Sequence, residues 1–102
     1  MFCMTVLYGH PKDAAEFDRY YEEIHTPLVL KVQGLKGLKV TRFGPGTRGE
    51  QPPYYLMAQL FADTQEEFNA LMSTPEGRAT GADVPNFATG GATFLLGNEK
   101  SL

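Results

Sequence analysis

Cysteine is almost absent from this sequence. Cys3 is the only one in 102 residues, so no internal disulfide can form. A lone thiol fits a reducing compartment, and the cytoplasm is the expected location. No basic or histidine neighbour in the sequence would make Cys3 a thiolate, so a buried structural role is expected for it. Histidine is scarce too. His10 and His25 stand alone, in neither the H-x-x-x-H nor the H-x-x-E-H setting of a zinc site. Positive charge is in short supply, with 9 Lys and Arg against 12 Asp and Glu, a net charge of −3. That argues against a nucleic-acid partner, which needs a basic patch to displace counterions. Lys36, Lys39 and Arg42 form the only local basic group and read as a solvated strand edge. No run of ~18 apolar residues occurs, so no membrane-spanning helix is expected. The apolar stretch Phe2 to Tyr8 lacks the basic flank and cleavage site of a signal peptide. G-x-x-x-x-G-K-[ST], a helix-opening G-x-G-x-x-G and C-x-x-C are all missing, which removes the phosphate-cradling and redox motifs.

What is present is ordinary for a globular chain: 42% hydrophobic and 21% charged residues, enough for a single domain over residues 1–102. The organising stretch is Asp13 to Leu28. Asp13 can cap a helix, with Glu16 at the capping-box position. Phe17, Tyr20, Tyr21, Ile24 and Leu28 then recur at helical spacing as one apolar stripe. His25 falls on the flank of that stripe, about 80° round from Phe17 at roughly 100° per residue. Pro27 biases Thr26 away from helical angles, so the helix is expected to end or kink beside His25. There the imidazole would meet carbonyls that have no helical partner.

The remaining elements follow in order. Residues 2–8 alternate as a strand, and residues 35–43 read as a second. GPGTRGEQPP between them and the next strand has the Gly/Pro density of a long hairpin loop, a lid or oligomer contact on one reading and a loose tip on the other. Residues 54–61 form the strongest strand, apolar on both faces except for Gln59, which if buried needs a partner. Thr64 caps a second helix with Glu67 at the box position. The stretch from Pro75 to Phe87 reads as a short helical turn and then irregular chain, and residues 91–97 close the sheet. The order β-α-β-β-α-β is the split ferredoxin-like plan, an α+β fold with a four-stranded antiparallel sheet. Strands apolar on both sides would leave one sheet face bare in a monomer, so a homodimer through the face away from the helices is expected.

Tyr8, Pro11, Phe17, Tyr20, Tyr21, His25, Pro27, Leu28 and Gly34-Leu35 resemble the first half of the EthD family, small dimeric α+β barrel proteins named for ethyl tert-butyl ether degradation. Tyr55, Ala58, Phe61, Phe68, Ser73 to Glu76, Asp83 and Phe87 extend the likeness over nearly the whole chain. The H-x-P-L run at His25 to Leu28, preceded by F-x-x-Y-Y and followed by G-L, carries most of it. The resemblance implies the dimeric barrel and an association with oxidative catabolism. Relatives of this barrel include monooxygenases, lactone isomerases and polyketide cyclases.

His25 is the candidate catalytic residue. One reading makes it a helix-terminal histidine bonded to a backbone carbonyl. The other makes it a general acid or base at the mouth of an apolar pocket, where its ordinary pKa near 6.5 suits proton transfer. Asp83 would orient the imidazole if the fold brings it close; a solvent-exposed or loop-capping role is its alternative. Tyr8, Tyr20, Tyr21, Tyr55 and Phe87 would wall the pocket, and Gln59 is a candidate ligand contact. Buried phenols need partners, which makes so many of them in a small core notable. Glu22 and His25, spaced i, i+3, are too few for a metal site, and neither metal nor other cofactor is expected. Two functions follow: a cofactor-free enzyme acting on an apolar or aromatic metabolite, by oxidation, isomerisation or dehydration, or a non-catalytic binding protein serving a partner enzyme.

Overall fold

The computed structural model describes residues 1–102. Strands β1 (Phe2–Tyr8), β2 (Gly37–Arg42), β3 (Leu56–Ala62) and β4 (Ala92–Asn98) form one sheet in the order β2-β3-β1-β4, with every neighbour antiparallel. Helices α1 (Ala14–Tyr20), α2 (Thr26–Leu30), α3 (Gln65–Met72) and α4 (Pro75–Asp83) cover one face. This is the ferredoxin-like α+β architecture that the alternation patterns predict, with strand ends moved by one or two residues. In register, Val6 sits opposite Ala58 and Phe94, so Phe2, Met4, Val6 and Tyr8 face the helices together with Leu56, Ala58 and Leu60. Cys3, Thr5, Gln59, Phe61 and Leu95 point to the opposite face.

The caps form where the sequence places them. The Asp13 carboxylate accepts from Glu16 N–H and the Thr64 hydroxyl accepts from Glu67 N–H, both at 3.1 Å. Glu16 itself turns to Arg19.

The first helix departs from its expected course. It does not stop beside His25. Tyr21–His25 forms a π-helical turn, closed by Thr26 N–H donating to the Tyr21 carbonyl, and the chain continues directly into α2 with Thr26 at helical angles. A π turn takes up one extra residue. The twelve steps from Phe17 to Val29 therefore count as about eleven, roughly 1100° at ~100° each, which is close to three whole turns. Phe17, Tyr21, His25 and Val29 consequently share one buried face, whereas Ile24, expected in the stripe, is 39% exposed. Pro27 needs no kink here. It lies in the first turn of α2, where a missing N–H is tolerated.

The second departure follows α3. In place of a short turn and irregular chain, Pro75–Asp83 is a full helix. The Thr74 hydroxyl caps it by accepting from Gly77 N–H at 3.1 Å, Pro75 sits in its first turn, and Val84–Asn86 adds a 3-10 turn. The core has two parts between sheet and helices. One gathers Val6, Tyr8, Phe17, Tyr21, Leu56 and Phe87; the other gathers Phe2, Val29, Leu60, Ala62 and Phe68.

Candidate active site

His25 is only 3% exposed, so its ring does not straddle cavity and solvent as a flank position would allow. Its Nδ1 lies 2.9 Å from Asp83 Oδ2, across 58 residues of sequence. Asp83 is itself buried at the C-terminal end of α4. Its other oxygen accepts from the Tyr20 hydroxyl at 2.6 Å and from the Asn86 amide at 3.0 Å. The His25 side chain therefore has a carboxylate partner in place of the backbone carbonyl, and Asp83 is neither a solvated residue nor a simple loop cap.

Burial works to raise the Asp83 pKa, but the donors Tyr20, Asn86 and His25 outweigh it and hold the carboxyl below its usual range. Burial also dominates at His25. It pushes the imidazole below its ordinary value despite the opposing pull of Asp83. At neutral pH the ring is thus uncharged. An ionised carboxylate can only accept, so the ring proton resides on Nδ1 and Nε2 keeps its lone pair. Phe87 and Tyr21 both pack on the ring, with centroids 4.6 Å and 5.4 Å away, and the two also touch each other at 5.6 Å.

A cavity of about 50 Å³ opens between sheet and helices beside this ring. Met4, Val6, Val29, Leu38, Leu60 and Met72 give it an aliphatic lining, and His25, Tyr8, Tyr21 and Thr80 are its polar members. Thr80 spends its hydroxyl on the Glu76 carbonyl. The phenol of Tyr8 is pushed up by burial and by the nearby Tyr21 and Asp83, and that of Tyr21 is pushed up to about 12 by burial, with no hydrogen-bonding group acting on either. No buried side-chain nitrogen or oxygen lacks a partner. His25 Nε2 and the two hydroxyls make no hydrogen bond within the chain and therefore keep some exposure, and all three residues line the cavity. No three His, Cys, Asp or Glu side chains cluster as metal ligands do.

The remaining candidates lie elsewhere. Tyr20 stands behind the dyad, stacked on Phe87 at 5.5 Å, where both line an outer cleft of about 110 Å³ with Lys12, Glu16 and Asn86. Tyr55 is at the far side of Phe17, its hydroxyl donating to Asp18 at 2.8 Å and receiving Arg42 Nη1 at 2.6 Å. That ion-paired cluster holds Tyr55 away from the cavity. Gln59 is on the opposite face of the sheet, where its amide meets Cys3 Sγ at 3.8 Å, because strand alternation sends it away from Ala58 and Leu60. Asn86 and Thr80 escape a reading of the sequence alone. For Asn86 the only local signal is its place three residues after Asp83.

The model of the EthD domain family matches residues 10–91, which include His25, Asp83, Tyr20 and Asn86, while Met4, Val6, Tyr8 and Phe94 of the cavity lining fall outside the match. The chain belongs to the EthD family. An EthD relative from Bacillus halodurans C-125, known from its crystal structure, is 37% identical with a TM-score of 0.91, the alignment covering 98% of this chain and 99% of that one. An uncharacterised 11.0 kDa protein of Rhodococcus erythropolis, from the thcB-thcC intergenic region, is also 37% identical, over 100% of this chain and 98% of its own length. Beyond the family, a cofactor-independent oxygenase from Streptomyces nogalater shares the fold with a TM-score of 0.65 at 12% identity, covering 99% of this chain and 93% of that one.

Proposed function

We propose that this EthD protein binds an apolar or aromatic small molecule in the cavity beside His25 and acts on it by proton transfer, without a cofactor. The observation that carries this reading is a buried Asp83–His25 dyad, the imidazole unpaired at Nε2, lining a largely apolar cavity. Nε2 takes a proton from an acidic C–H or O–H of the ligand. The charge that develops on the imidazole is balanced by Asp83, while the hydroxyls of Tyr8 and Tyr21 are the available donors for an oxyanion formed on the ligand. A cavity of about 50 Å³ is smaller than the roughly 150 Å³ known to admit benzene, so binding widens it. The same chemistry suits an isomerisation, a dehydration, or the deprotonation that precedes reaction with oxygen in oxidative catabolism.

The reading also includes a homodimer through the outer sheet face, where Leu95 is half exposed beside Thr5 and Gln59, and a cytoplasmic location consistent with the single thiol. The test is exchange of the α-protons of hydrophobic aryl ketones in D2O, followed by NMR. The native protein accelerates exchange and His25→Gln retains ketone binding but loses the acceleration. Equal exchange rates for the two proteins would refute the proposal.

A further inference from the structure

Helix α4 carries two glycines one turn apart, and only one of them has a packing reason. A Cβ on Gly77 would lie 2.3 Å from the Leu71 carbonyl oxygen and 2.5 Å from Met72 Cα, so the tight α3–α4 turn excludes any side chain there. Gly81 is different. A Cβ on it would meet no atom within 4 Å, and its φ is not positive. An interior helical glycine that neither packing nor conformation demands weakens its helix for no structural return.

Gly81 lines the cavity of His25 and is exposed. Phe94 on the edge strand β4 is the other exposed lining residue, at 50%. Deeper members such as Val6, Tyr21, Val29, Leu60 and Thr80 are buried. The exposed rim of the cavity is therefore Gly81 on α4 and Phe94 on β4, with Met4, Leu38 and Met72 half-buried. Beside it, Leu96 extends the apolar sill along the same side of β4.

Resting on the reading of this cavity as a ligand site, we infer that Gly81 sets its aperture. The missing side chain admits flat aromatic ligands, which slide over Phe94 to reach His25. Ring width, more than polarity, is what the mouth selects.

The experiment uses a fluorinated acetophenone and a fluorinated acetonaphthalene as probes, with 19F NMR for binding and thermal melts for stability. Gly81→Leu and Gly81→Ala both fold. Gly81→Ala raises Tm by ~2–8 °C, because alanine is the better helix former and nothing obstructs its methyl. Gly81→Leu weakens the naphthyl probe at least tenfold and the phenyl probe less, and Gly81→Ala slows naphthyl association severalfold. Phe94→Ala speeds association of both. If the native protein binds the probes and His25→Gln abolishes only their α-proton exchange, but both Gly81 variants bind the naphthyl ketone like the native protein, the aperture is refuted and the cavity reading stands. If the native protein binds neither probe, both fall.

Discussion

The coupling between His25 and Asp83 can be measured with a double-mutant cycle of His25→Gln and Asp83→Asn. Asp83 accepts three hydrogen bonds, one of them from a ring that is almost wholly buried. Hydrogen bonds to a charged partner contribute about 1.5–3 kcal/mol, and an orphaned buried donor costs about 1–3 kcal/mol. The amide introduced by Asp83→Asn would keep one acceptor oxygen for His25 but turn its NH2 group toward the donors Tyr20 and Asn86. Those two sit near solvent and can find water, so the loss falls mainly at the dyad. Asp83→Asn should destabilise by about 2 kcal/mol, and His25→Gln by about 2–3 kcal/mol once its ring contacts with Phe87 and Tyr21 are lost. Because both changes act on the same bond, one stripping its charge and the other removing its donor ring, the double variant should fall short of the sum by at least ~1 kcal/mol. Urea denaturation at pH 7, with m-values checked for constancy, supplies the four free energies. A cycle additive to within ~0.5 kcal/mol would show that the contact stabilises nothing and would remove the basis for Asp83 as the orienting group.

The other expectations use simpler measurements. The His25 pKa is lowered by burial, so its contribution to stability is complete above the unfolded value near 6.5 and declines as pH falls from there toward the folded value. Asp83, also lowered, adds a second loss as pH falls below about 4. Melts across pH 3–8 should show both steps, and His25→Gln should erase the first alone; a native curve flat between pH 7 and 5 would contradict the shift. One alanine inserted after Glu23 turns His25, Val29 and Val32 by about 100° off the buried face. The variant should lose cooperative unfolding while keeping helical circular dichroism, and a native-like melt would mean that the π turn carries no phasing role. Light scattering should give twice the 11.3 kDa chain mass, with Leu95→Glu shifting it to monomer or aggregate. A native mass near the single chain would sink the homodimer.

By itself the sequence determined the β-α-β-β-α-β order, the helix caps at Asp13 and Thr64 and the burial of Phe17, Tyr21, Tyr8 and Ala58. These depend on alternation and on side chains a few residues apart, which operate before any distant contact exists. It also singled out His25, through its neighbours, but misplaced the ring. The angular position of a residue beyond a π turn depends on what the helix buries, and a strict 3.6-residue count carries His25 to the flank and Ile24 to the core. Tertiary structure likewise decided α4. Two glycines, a proline and a threonine make Pro75 to Asp83 a weak helix by composition, and packing on α2 and α3 supplies the missing stability. That helix brings Asp83 to His25 and puts Gly81 at the mouth of the cavity, while the pleat turns Gln59 to the other face and the Asp18–Arg42 pair holds Tyr55 outside. The dyad exists only when residues 58 positions apart are buried together, because burial is what makes a neutral imidazole and an ionised carboxylate prefer one another's company to water's.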